Sequence, residues 1–169
     1  EEALGSTVLC SGKHAWRVTF TGLRGENEEF HCGVDEWDEK DGGVSSSDTS
    51  GWFVRPSGYK FPPRPDIRDP SGFEVPQPGF ALGQVSDGDV VDFLLDADTG
   101  HFYCIKTRRN GGKRCCSWTI SNRKLVPRFR LFRTGLSMSV EIIPPEQFGK
   151  VLEIETQKME EAVAGQQQQ

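Results

Sequence analysis

Between Asp87 and Lys106 the chain reads Asp-Gly-Asp-Val-Val-Asp-Phe-Leu-Leu-Asp-Ala-Asp-Thr-Gly-His-Phe-Tyr-Cys-Ile-Lys. Two short runs of apolar, β-branched and aromatic residues are held apart by Asp96-Ala97-Asp98-Thr99-Gly100, a connection rich in turn formers. The runs are too short for a helix and lack its three-to-four spacing, so the stretch predicts a β-hairpin. In Val90–Leu95 the side chains alternate, with Val91, Phe93 and Leu95 on one face and Val90, Asp92 and Leu94 on the other. His101–Lys106 returns with Phe102 and Cys104 on one face and Tyr103 and Ile105 on the other. Strands this apolar on both faces belong in the middle of a sheet, so further strands are expected on either side.

Candidates for those strands recur along the chain. His14–Thr21 sets Trp16, Val18 and Phe20 against Ala15, Arg17 and Thr19. Glu28–Val34 turns Phe30, Cys32 and Val34 inward, and Gly33 leaves room for a side chain against the backbone. Gly51–Phe61 reads as a strand pair turning at Arg55-Pro56-Ser57-Gly58, and Arg114–Ile120 as a short strand carrying Trp118. Leu125–Phe132 has Arg128 and Arg130 on a basic side, with Val126, Phe129 and Leu131 available to the core. Leu136–Ile143 closes the series with Met138, Val140 and Ile142 on one face. Asp35–Ser50 reads as a polar exposed loop, and Pro62–Gly79, with six prolines, as extended loop. Short strands punctuated by Gly, Pro, Asp and Ser predict an all-β sandwich. After Pro144-Pro145 the pattern changes: Glu146–Ala164 predicts a helix with Phe148, Leu152, Met159 and Val163 along one stripe, then a glutamine tail. The expected organisation is a sandwich over residues 1–143 and a helix with a low-complexity tail over 144–169. With no initiator Met and no secretory signal, the chain reads as an excerpt of a longer one.

Several function classes fall away. No segment approaches the roughly 18 apolar residues of a membrane helix. Cys10, Cys32, Cys104, Cys115 and Cys116 form no C-x-x-C pair, and with three histidines the chain lacks zinc-site spacing. They read as reduced thiols of an intracellular, cytoplasmic or nuclear protein. The acidic 35–50 loop lacks the register of a calcium loop. There is no phosphate-binding glycine loop and no G-x-S-x-G elbow. His14, His31 and His101 sit in or beside strands, and Asp89, Asp92, Asp96 and Asp98 read as turn-forming or capping carboxylates. No catalytic group, cofactor or metal is expected. The formal net charge is −5, but unevenly placed. Residues 26–48 hold nine carboxylates against Lys40 alone, whereas residues 99–140 hold ten lysines and arginines and no carboxylate.

The order of segments resembles the SPRY domain, a bent antiparallel β-sandwich. Gly12-Lys13-His14-Ala15-Trp16-Arg17-Val18 is similar to the family's opening strand, with Ala15 at a usual aromatic position. Phe30-His31-Cys32-Gly33-Val34 resembles its Trp-x-Val-Gly-Val strand, and Gly51-Trp52-Phe53-Val54 followed by Gly58-Tyr59-Lys60 its tryptophan strand and turn. Gly88-Asp89-Val90-Val91-Asp92-Phe93-Leu94-Leu95-Asp96 resembles the family's Gly-Asp-x-Val-x-x-x-Leu-Asp signature. Leu125-Val126-Pro127 and Ser137-Met138-Ser139-Val140 look like its closing strands. The likeness runs from Cys10 to Ile143. It departs at Arg114–Ile120, which replaces a strand of small residues, and the resemblance is not extended to the full binding domain of tripartite-motif relatives.

The resemblance implies a non-catalytic protein-interaction module that presents loops at one end of the sandwich to a protein or peptide, as an adaptor or scaffold within a larger assembly. The contact residues it points to are Trp37, Arg55, Tyr59, Arg108, Arg109 and Trp118, since exposed aromatic and arginine side chains give area and directed bonds. The alternative is RNA or another anionic ligand on the basic 99–140 stretch, with Arg108, Arg109, Lys113 and Arg114 straddling phosphates and Trp118 stacking. Sandwich architecture alone also suits a lectin, but no carbohydrate-site motif is present.

Overall fold

The computed structural model describes residues 8–26, 28–38, 43–44, 51–58, 60–61, 82–121 and 124–148. Among them are β1 (Lys13–Thr21), β2 (Phe30–Asp38), β3 (Gly43–Val44), β4 (Trp52–Val54), β5 (Lys60–Phe61), β6 (Val90–Asp96), β7 (His101–Thr107), β8 (Lys113–Thr119), β9 (Leu125–Leu131) and β10 (Ser137–Ile143). The first sheet runs β10-β1-β6-β7-β8. In the second, β2 pairs with β9, β4 and β3, and β5 follows β4. Every pairing is antiparallel. The β6–β7 hairpin lies at the centre of its sheet, as its two apolar faces require.

Alternation decides what meets between the sheets. Trp16, Phe93, Phe102 and Trp118, one from each of β1, β6, β7 and β8, form a row of stacked rings with centroids 5.0–5.7 Å apart along the row. Phe20 of β1 stacks on Phe30 of β2 at 4.1 Å and ties the first sheet to the second. Val18, Val91, Leu95, Cys32, Val34 and Cys104 complete this core. The opposite face of the first sheet carries a smaller apolar cluster of Ala15, Leu94, Ile105, Cys115 and Ile143. There Arg17 and Asp92, opposite one another in the register, form an ion pair at 2.8 Å. Asp92 is therefore a strand residue with a cross-strand partner rather than a turn carboxylate. Asp96 and Asp98 do cap turns: Asp96 accepts from the Asp98 and Thr99 amides, and Asp98 from that of Gly12.

Four expectations are corrected. First, β2 continues to Asp38, because Asp35 is buried against Arg128 instead of opening the polar loop. Second, Gly33 makes room for backbone, not a side chain: a Cβ there would lie 2.7 Å from the Phe53 Cα and still nearer the Trp52 carbonyl oxygen. Third, the pairing of β9 with β2 puts Leu125 and Phe129 on the core side, and Val126 with Arg128 on the other, while Leu131 is exposed. Val140 and Ile142 of β10 are exposed as well. Fourth, Pro145–Phe148 forms a 3-10 turn where an α-helix was expected to begin. The remainder of that expected helix, from residue 149, lies outside the described residues, as do most of the 35–50 loop and the proline-rich segment.

Candidate partner-binding surface

The strand registers sort the connections to two ends of the sandwich. Thr21 pairs with Ser137, Thr19 with Val90, and Thr107 with both Val90 and Lys113. The segments after β1, before β6, between β7 and β8 and before β10 therefore share one end. The second sheet brings its Arg55–Gly58 turn to the same place. The Gly58 amide donates to the Arg55 carbonyl at 2.8 Å to close the turn, with Pro56 fixing φ at its second position. The Leu82 amide donates to Gly58 and the Val85 amide to Pro56, each at 2.8 Å, clamping residues 82–85 onto the turn. Gly58 is required there, with φ +84° and no space between it and the Gly83 backbone for a Cβ.

Three carboxylates at this end, Asp87, Asp89 and Glu29, accept from fixed donors. Asp87 accepts from the Gly22 and Leu23 amides at 2.8 and 2.9 Å, and these bonds hold its carboxyl below the usual range. Asp89 accepts from the Ser86 amide at 2.9 Å. Glu29 is buried and accepts from the Arg24 and Glu26 amides and from Arg133, which also donates to the Gly22 carbonyl. Burial works against its ionisation, but the two amides and Arg133 outweigh it and lower its pKa. The cations of the β7–β8 turn are solvent-exposed. The Arg108 amide donates to Gly112 and that of Gly111 to Arg108, and this tight turn leaves Arg108, Arg109, Lys113 and Arg114 exposed.

Behind the Arg55 turn lies a buried polar cluster on the face of β2, β4 and β9 that points away from the core. Arg128 sits 3.2 Å from Asp35 Oδ2, 3.2 Å from His31 Nδ1 and 4.3 Å above the Phe53 ring. His31 stacks on Phe53 at 4.2 Å and lies 3.3 Å from Glu28. Burial, followed by the Arg128 charge, pushes the imidazole pKa down, so at neutral pH the ring is uncharged and Nδ1 accepts from the guanidinium. The sequence did hold a signal for this cluster. His31, Gly33 and Asp35 share one parity, Arg128 and Arg130 another, and antiparallel pairing puts them on one face.

The candidate contact residues do not form one surface. Arg55, Arg108 and Arg109 lie at the loop end just described. Trp37 is at the far end of β2, half-buried, with its amide donating to the Lys124 carbonyl at 2.8 Å. Trp118 is a correction: at 1% exposure it is the last ring of the core row and offers no surface for stacking. Tyr59 lies outside the described residues. The basic 99–140 stretch also shrinks in three dimensions, since Arg128 and Arg133 are engaged by Asp35 and Glu29 and Lys106 is buried. Cys115 and Cys116 sit within β8, and none of the five cysteines forms a disulfide among the described residues. Among the described residues no cluster of side chains has the composition of a metal site, and no helix is long and apolar enough to cross a membrane.

No family model matches the sequence, and no curated protein matches it either. Solved structures do. The SPRY domain of human HERC1 superposes with a TM-score of 0.54 at 20% identity, over 81% of this chain and 77% of that one. The TRIM65 PSpry domain gives 0.51 at 16% identity, over 82% and 68%. Antiparallel sheets, a central Gly-Asp hairpin and these two likenesses agree: the chain has a SPRY-like fold.

Proposed function

We propose that this chain is a non-catalytic protein-interaction module that binds a protein or peptide through the end of the sandwich carrying Arg55, Arg108 and Arg109. The observation behind this reading is the construction of that end. Backbone hydrogen bonds clamp residues 82–85 onto the Arg55 turn, the Lys106 side chain of β7 donates to the Gln84 carbonyl, and Arg108 and Arg109 of the neighbouring β7–β8 turn are exposed. A rigid platform with directed guanidinium donors loses little side-chain and backbone freedom on binding. The SPRY-like fold supports the same reading by analogy. In it the module serves as an intracellular adaptor or scaffold within a larger assembly, and Tyr59 is a further candidate contact residue. Trp37, at the opposite end, is a separate candidate that one compact partner would not reach together with Arg108.

A second reading, RNA binding, draws on the exposed Arg108, Arg109, Lys113 and Arg114. It is the weaker one, because single-strand binders pair such cations with stacking rings and Trp118 is in the core. Affinity capture separates the two. A captured protein that resists nuclease and is lost with Arg108→Ala/Arg109→Ala supports the module. Capture of RNA alone, abolished by nuclease, supports the alternative.

A further inference from the structure

Lys106 is the buried cation that the platform leaves unexplained. Its side chain shares the core-facing parity of Phe102 and Cys104 and is 0% exposed, at the point where the inter-sheet space opens to the loop end. The register sets Arg114 directly across from it, and Arg108 follows two residues later. Like charges opposite one another across a ladder repel. All three converge on Gly83: from the position a Cβ would take there, Lys106 Nζ is 3.3 Å away, Arg108 Nη2 3.4 Å and Arg114 Nη1 3.6 Å. Gly83 has φ +72°, so the chain turns in a way that suits glycine and leaves the three nitrogens facing a bare backbone. Lys106 uses one N–H on the Gln84 carbonyl at 2.8 Å, and an ammonium has three. Among the described residues none of the three cations forms an ion pair. Asp89 is the carboxylate whose charge favours the protonated lysine, against burial and the two arginines, which together lower its pKa.

We propose that Lys106, Arg108 and Arg114, gathered over Gly83, form a site for a phosphate monoester carried by the protein partner, that is, for a phosphorylated residue. The proposal rests on reading this end as the binding end. Three cations against Asp89 leave an excess of two positive charges, the charge of a phosphate monoester above its second ionisation near about pH 6. A carboxylate or a nucleic-acid phosphodiester carries one negative charge and leaves the cluster unbalanced. Two guanidinium forks and an ammonium also supply donors from three directions to a tetrahedral group, which a planar carboxylate cannot use as well. Anion binding relieves the repulsion that the register imposes on Lys106 and Arg114.

The test is a titration of the whole chain at pH 7.5, followed by the Gly83 and Gln84 amide resonances. The probes are phenyl phosphate, dimethyl phosphate, acetate, a phosphoserine peptide and a nucleoside monophosphate. Phenyl phosphate should shift both amides and raise the melting temperature, and dimethyl phosphate and acetate should bind about tenfold more weakly or worse. Lys106→Met replaces the buried ammonium with an apolar chain of similar length, and Arg114→Gln changes an exposed position. Each should melt at or above the wild-type temperature yet lose about tenfold in phenyl phosphate affinity. The phosphoserine peptide should bind at least as tightly as phenyl phosphate. No shift at Gly83, equal binding of diester and monoester, unaltered affinity in both variants, or tightest binding of the nucleoside monophosphate each overturns the proposal. Such a failure leaves the interaction module standing if the Arg108→Ala/Arg109→Ala variant still loses its captured protein, so the two claims fail separately.

Discussion

Glu29 shows how a single side chain holds a loop end together. Its carboxylate gathers the Arg24 and Glu26 amides and Arg133, and these donors keep it ionised below the usual value of 4.5 in spite of burial. Because the folded pKa is depressed, the stabilisation is complete above about pH 4.5 and is lost as pH falls through the folded value. Glu29→Gln should cost about 1–3 kcal/mol at neutral pH. It should also flatten the acid limb of a melting-temperature curve, and an unchanged limb would place the acid sensitivity elsewhere. The two tryptophans singled out in the sequence should respond in opposite ways. Trp118→Ala removes a ring from the core row and should cost about 3–5 kcal/mol, read as a fall in the denaturant midpoint. Trp37→Ala, at a half-buried strand end, should cost far less. The parity of β8 already placed Trp118 on one face with Cys116. Which face was inward could not be read locally, because Arg114 shares it and suggested solvent.

At the scale of elements, strands whose apolar residues recur at period two were legible to within a residue or two. β1, β6, β7 and β10 begin and end close to where alternation and turn residues set them. β2 was cut short because Asp35, Glu36 and Asp38 look like loop, and only the pairing with β9 shows that Arg128 gives Asp35 a buried partner. The basic side of β9 looked solvated for the same reason, since a charge balanced across a ladder reads as exposed along a single strand. The close approach of β2 and β4 gives a sharp prediction. Gly33→Ala would drive a methyl into the Trp52–Phe53 backbone, which has no flexible end to yield, and should destabilise the protein by about 2 kcal/mol or more. A chemical-denaturation curve that matches the wild type would mean that the two strands can separate at no cost.

At the scale of the whole molecule, the sandwich is a device for bringing distant stretches of chain to one end. Arg55 and Arg108 are far apart in sequence, yet the clamp between Gly58 and residues 82–85 sets the first turn beside the second. The order of motifs made the fold legible. The contact surface was less so, because assigning residues to the two ends requires strand registers, and those separate Trp37 from the arginines. The central claim is that the Arg55–Arg108 end binds protein, and affinity capture with three proteins addresses it directly: wild type, Arg108→Ala/Arg109→Ala and Trp37→Ala, each first shown to melt as a folded domain. The prediction is a nuclease-resistant protein partner retained by wild type and by Trp37→Ala and lost with the double arginine variant. Retention by the arginine variant with loss on Trp37→Ala would contradict it and move the binding surface to the other end of the sandwich.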